Sequence, residues 1–336
     1  MAITAASMTL ADYALQSNDP LVRAVTFSLI DNGAVAQDIP LLTQETLIAN
    51  GVRFEGNLPT VNWAQINSEG VTTKGTPTPY QEKVFTFRNY IDLDKLYVRD
   101  KNAIQDPRAT QVNAFMKALA YDFNDKFINN DHVAGDANSI VGIKYRITNG
   151  GTYGVRPENS IDAGTLNISQ SGATQATANK FIEYLDQLLW SVDSPDGQGV
   201  TLYMNEVMKR RLNFLARLMG TSGGFDITRD QFDRVIQTYK GAMIRDIGYK
   251  ADQATRIITN TENANGANDG SSNQTSIYAV HYDTNHFFGW EFEPVNVQDL
   301  GLINNGVIYR TFIDWAIGLM NASTRSLGRL YDLKMA

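Results

Sequence analysis

Apolar residues recur at helical spacing in three well-defined stretches of the chain. Val112, Phe115, Met116, Leu119, Phe123 and Phe127 mark one face of the segment from Pro107 to Asn130. Asp106 can cap that segment and Pro107 fits its first turn, so the spacing predicts a helix of roughly 36 Å at 1.5 Å per residue. Phe181, Ile182, Leu185, Leu188 and Leu189 predict a second helix, stopped by the SPDGQG run with Pro195 and Gly197. Asn205 caps a third, whose stripe is Met208, Leu212, Leu215 and Leu218 and whose end is expected at Gly220. A further helix is compatible with LVRAVTFSLI after Asp19-Pro20, within a first forty residues that look like an arm lying on another surface.

Elsewhere the period shortens to two. Val61, Trp63 and Gln65 alternate with Asn62 and Ala64, and Lys83 to Ile91 alternates Phe85, Phe87 and Asn89 with Thr86 and Arg88. Between them lies EGVTTKGTPTPYQ, where Pro77 and Pro79 are expected to break any ladder. The whole reads as a long two-stranded excursion with a flexible tip, too thin to bury itself. Ser139–Ile147 is expected to be a short strand, and 148–175 a loop-dominated crossing into a second lobe. There TLYM, Val235–Tyr239, Met243–Ile247 and Ser276–Tyr282 read as strands among helices, hence an α/β lobe. The polar run from Asn260 to Thr275 is expected to be exposed and mobile. Two closing β-favouring runs are interrupted by Gly318 and Gly328.

Composition narrows the function. The 336 residues are 43% hydrophobic, which suits a folded protein. Lys plus Arg number 29 against 36 Asp plus Glu, a net charge of −7 without long like-charge runs, which argues against an electrostatic nucleic-acid binder. With no cysteine, disulfides, thiolate catalysis and Cys-based metal sites are excluded. No signal peptide is evident and nowhere do eighteen apolar residues run together, so no membrane association is expected and synthesis in a cytoplasm is.

Candidate chemistry is sparse. Gly220–Gly224 satisfies G-x-S-x-G with Ser222, but a helix precedes it where a nucleophile elbow needs a strand. His281, Asp283 and His286 lie close in sequence, yet an i, i+5 spacing places two histidines together on neither a helix nor a strand; His132 stands apart. There is no phosphate-binding loop, and no cofactor or metal is expected. Lys209, Arg210, Arg211 and Arg217 form the densest basic cluster and read as a solvated helix face. Trp63, Trp290 and Trp315 lie in strand-like segments, as core or interface anchors.

The order of elements resembles that of tailed-bacteriophage major capsid proteins of the Hong Kong 97 type. TLADYALQSNDPLVRAVTFSLI resembles their N-terminal arm, and VGIKYRI a strand after their spine helix. LYMNEVMKRRLNFLAR and QTYKGAMIRDIGY resemble successive parts of their axial domain, and VIYRTFIDWAIGLMNASTRSLGRLYDL their last strands. The resemblance implies an α+β fold with an N-terminal arm (1–50), an extended β-hairpin loop (51–92) and a peripheral domain with the spine helix (93–147). An α/β axial domain (148–300) and a return to the peripheral domain (301–336) complete it. It implies a non-enzymatic structural subunit of a virion, self-assembling into pentamers and hexamers of an icosahedral shell that encloses double-stranded DNA. Scaffolding, portal and decoration proteins are its further implied partners, and assembly would take place in a bacterial cytoplasm. Subunit contacts are then expected from the arm and the loop, at Phe27, Trp63, Lys74, Tyr80, Phe85 and Phe87, with no isopeptide cross-link through Lys74. An encapsulin-like compartment shell is the alternative within the fold, and a serine hydrolase using Ser222 the alternative outside it.

Overall fold

A computed structural model describes residues 33–53, 58–99, 107–218, 225–229, 235–303 and 306–335. In chain order the first elements are α1 (Ala34–Asp38), β1 (Leu41–Thr43), β2 (Ile48–Arg53), β3 (Thr78–Lys83) and β4 (Phe85–Asp94). Then come α2 (Lys95–Arg99), α3 (Pro107–Asn129), α4 (Ile143–Thr148), α5 (Gly150–Tyr153) and β5 (Ser160–Asn167). The middle holds α6 (Gln175–Ser191), β6 (Val200–Met204), α7 (Glu206–Leu218), β7 (Phe225–Arg229), β8 (Val235–Tyr239) and β9 (Ala242–Asp246). The long strands β10 (Gln274–His281), β11 (Phe287–Ile303), β12 (Ile308–Asn321) and β13 (Leu327–Lys334) close the chain.

Among the described residues the strands form three sheets. One has the order β1-β11-β12-β4, a second β5-β13-β10-β6-β9-β8-β7, and the third is the two-stranded ribbon β2-β3. Helix α3 covers the first sheet with the apolar face its spacing predicts: Val112, Met116, Leu119, Phe123 and Phe127 are buried. Its aromatic residues meet the sheet directly, Phe123 at 5.0 Å from Trp315 and Phe115 at 5.7 Å from Phe87 between ring centroids. Strands β6 and β10 are buried on both faces. Leu202, Met204, Ile277 and Ala279 face the core under α6 and α7, while the alternate residues Tyr203, Tyr278 and Val280 join the core under α3. That two-sided burial is why these strands read as continuous apolar runs.

Polar contacts seat the helices. The Asn205 side-chain Oδ1 accepts from the Met208 N–H at 2.8 Å, the cap expected for α7. Lys240 and Gly241 turn β8 into β9 with φ of +46° and +92°, the paired left-handed geometry of a tight hairpin. The Asp38 carboxylate, at the end of α1, takes Arg245 at 2.8 Å and the Tyr203 hydroxyl at 3.1 Å, fastening the chain's entry to the seven-stranded sheet.

Five expectations are corrected. Ser139–Ile147 is not a strand: α4 begins at Ile143, because the Asn130 side chain and carbonyl gather Asp136, Ser139, Ile140 and Gly142 into a helix start. Ile140, Ile143 and Ile147 fit a three-to-four spacing as well as a short apolar run, so the period was ambiguous. The crossing at 148–175 contains α5 and β5, the latter pairing parallel to β13 with Ile161 and Leu166 buried. Val61–Gln65 forms no strand, whereas Pro79 lies in one, opposite Val52, on a ribbon whose strands each keep an edge free for a missing N–H. Strands β12 and β13 run through Gly318 and Gly328. In the polar run, Glu262 is buried, held by Arg329 at 3.2 Å and Lys144 at 3.3 Å.

Candidate assembly surface

The ribbon β2-β3 pairs Ile48 with Lys83 at its root and Arg53 with Thr78 at its far end. Burial alternates along it: Ala49, Arg53 and Glu82 face the body, while Ile48, Val52, Gln81 and Lys83 face outward. The inward face docks on a small apolar cluster of Ala49, Phe288, Trp290 and Met320, with Leu42, Tyr80 and Val84 packed beside it. A two-stranded ribbon has little stability alone, and this docking supplies what it lacks.

Beyond the ribbon, residues 58–77 form no ladder and almost every side chain is exposed. Leu58, Val61, Trp63, Ile66 and Val71 project from this stretch, with Trp63 97% and Ile66 94% exposed. Scattered surface apolar residues need no explanation, but a run of large ones on a segment without a core marks a surface meant to be covered. A second exposed apolar group lies at the far end of the four-stranded sheet. There α2 carries Leu96 and Tyr97, β4 carries Tyr90, and the β11–β12 hairpin carries Leu300, Leu302 and Val307. The Lys95 N–H donates to the Val307 carbonyl at 2.9 Å, joining α2 to the hairpin. This group escaped the sequence reading because its members come from three separate elements.

The expected contact residues separate into two kinds. Trp63 and Lys74 are exposed on the excursion. Tyr80 is half-buried on the ribbon under the Arg53 guanidinium, 3.9 Å from its ring. Phe85 and Phe87 are half-buried against the chain's own core, Phe85 edge-on to His132 at 5.9 Å. Phe27 lies outside the described residues.

Of the candidate chemical groups, Ser222 also lies outside the described residues. His281 and His286 do come together, stacked at 3.8 Å, with His286 Nδ1 3.7 Å from Asp283. Burial, reinforced by the neighbouring imidazole, holds the His281 pKa below its ordinary value. Among the described residues no three such side chains are placed to hold a metal ion, and no helix is long and apolar enough to cross a membrane. The basic face of α7 is solvated at Arg210, which shares Glu206 with Arg256.

No protein-family profile and no curated sequence matches the chain. Solved structures do. The holo-SrpI encapsulin complex from Synechococcus elongatus aligns over 89% of this chain and 87% of its own, with a TM-score of 0.57 and 11% identity. A structure from Microbacterium phage Oxtober96 aligns over 89% and 90%, with a TM-score of 0.55 and 10% identity. The capsid of a native GTA particle aligns over 90% of each chain, with a TM-score of 0.55 and 10% identity.

Proposed function

We propose that this chain, which has the α+β Hong Kong 97-like capsid fold, is a structural shell subunit: the major capsid protein of a tailed bacteriophage. Many copies associate as pentamers and hexamers into an icosahedral shell around double-stranded DNA. The observation that carries this reading is the excursion at 58–77, whose large apolar side chains stand exposed among the described residues. A neighbouring copy is the cover that a shell provides, and closed symmetric assembly repeats the same contact around each ring. In this reading α3 and the four-stranded sheet form the peripheral part, and the seven-stranded sheet with α6 and α7 the axial part. Trp63 and Lys74 contact a neighbouring copy, Tyr80, Phe85 and Phe87 seat the loop from which they project, and Phe27 belongs to an arm that adds further contact. Scaffolding, portal and decoration proteins are the partners such a shell engages, and assembly takes place in the host bacterial cytoplasm.

Size-exclusion chromatography followed by negative-stain electron microscopy, with and without a candidate scaffold, tests the proposal. Uniform shells, pentamers or hexamers are expected; a monomer under every condition overturns it. The likeness to the encapsulin favours a second reading, a compartment shell with protein cargo. Nucleic acid inside purified particles supports the first reading, and co-purifying cargo enzyme the second.

A further inference from the structure

The inward face of the ribbon meets the body at two charged points, an ion pair on one strand and a guanidinium on a backbone carbonyl on the other. On β3, Glu82 receives Arg146 of α4 in a bidentate pair, Nη1 to Oε1 at 2.5 Å and Nη2 to Oε2 at 3.1 Å. Their side chains are 9% and 1% exposed. Arg146 uses its remaining donors on the body itself, Nε on the Val141 carbonyl at 3.2 Å and Nη2 on the Leu319 carbonyl at 3.4 Å. On β2, Arg53 donates through Nη2 to the Asn321 carbonyl and lies against Gly154, where a side chain would overlap the guanidinium. Asn321 in turn donates to the Tyr153 carbonyl at 2.9 Å, and the Tyr153 ring lies 5.1 Å from the Arg146 guanidinium.

Both arginines therefore meet one receiving platform, made of α5 and the last residues of β12. The two points are four positions apart along β2, about 13 Å at strand rise. Beyond the ribbon, 58–77 is exposed along almost its whole length among the described residues.

An apolar dock could hold the ribbon equally well, since a buried ion pair adds little net stability over a hydrophobic replacement of the same shape. The two designs differ when they open. Separated charges return to water, whereas an opened apolar dock exposes a sticky face. The apolar share of this dock is small, with Ala49, Tyr80 and Val84 on the ribbon side.

We infer that Glu82–Arg146 and Arg53–Asn321 form a releasable two-point clamp that sets the bearing of residues 58–77. The device belongs to a single chain and stands whether or not copies assemble.

The absence of cysteine makes site-specific labelling direct. Spin labels are placed at Lys74→Cys on the excursion and Asn113→Cys on the exposed side of α3, and the labelled chain is diluted into an unlabelled excess so that only pairs within one copy are read. Pulsed dipolar spectroscopy then gives the distance distribution. A narrow distribution is expected with the clamp intact, widening about twofold in Glu82→Gln and, separately, in Arg53→Gln. Arg310→Gln, which breaks the exposed pair with Asp92, serves as control and leaves the width unchanged. An unaltered width in both clamp variants, or a distribution already broad in the parent chain, overturns the inference. Should Glu82→Gln fail to fold, as circular dichroism would reveal, Arg53→Gln decides alone. Size-exclusion of the same samples reports association separately.

Discussion

The Glu291 carboxylate oxygen accepts the Trp315 indole N–H at 2.7 Å, across two neighbouring strands of the sheet beneath α3. Both residues are buried, and the Trp315 ring packs on Phe123 of the helix above. Burial pushes the Glu291 carboxyl up to about 7, against the opposing pull of the indole hydrogen bond. A group that must stay protonated to fit the fold makes stability depend on pH.

The dependence has a definite sign. Below the ordinary value of 4.5 both folded and unfolded chains hold the proton, and Glu291 costs nothing. Between 4.5 and about 7 the unfolded chain releases a proton that the folded chain keeps, so stability falls as pH rises and the loss is complete above 7. That interval corresponds to about 3 kcal/mol. Glu291→Gln preserves an acceptor for Trp315 and removes the ionisation. Urea unfolding should show the variant more stable by about 3 kcal/mol at pH 8 and unchanged near pH 4.5; the same difference at both pH values contradicts the assignment.

Asn205 does more than cap α7. Its amide nitrogen reaches the Ile258 carbonyl at 3.1 Å, Asn260 Oδ1 at 2.6 Å and Thr275 Oγ1 at 2.9 Å, all in a buried position. Asn205→Ala removes the cap and strands these acceptors, and should cost about 3 kcal/mol in chemical denaturation. A loss no larger than that of an exposed cap would mean the inward contacts contribute nothing.

Gly318 lies directly beneath the Trp290 indole, so a methyl group there would overlap the ring. Gly318→Ala is expected to lower stability by about 1–3 kcal/mol through overpacking. A thermal midpoint equal to that of the parent chain would show that Trp290 moves aside freely.

Trp63 is 97% exposed, and Trp63→Ser should leave chemical unfolding of the dissociated chain within about 0.5 kcal/mol of the parent. Association between copies should weaken by about 2 kcal/mol, as for a central aromatic contact. Sedimentation velocity measures this, and unchanged assembly removes Trp63 from the interface.

Legibility followed the range of the interactions involved. The stripe of α3, the cap and stripe of α7, the turn at Lys240-Gly241 and the strands at 200–204 and 274–281 depend on residues within a few positions of one another, so spacing alone disclosed them. Where distant residues decided the outcome, local pattern misled. Ile143 and Ile147 joined a helix because Asn130 organises the turn before it, and Glu262 was drawn into the interior by Arg329. The excursion could be recognised as lacking a core from its Thr, Gly and Pro content, but its direction could not. Arg146, Glu82, Arg53 and Asn321 are scattered over the chain and meet only in the folded structure. The sequence by itself thus determined the helices α3, α6 and α7 and the central strands β6 and β10, that one long segment has nothing of its own to pack on, and that cysteine chemistry is absent. Tertiary structure alone decided which strands share a sheet, which apolar residues stay uncovered and where the excursion points. Burial and ion pairing act through space, and their partners are too far apart along the chain for any local pattern to record them.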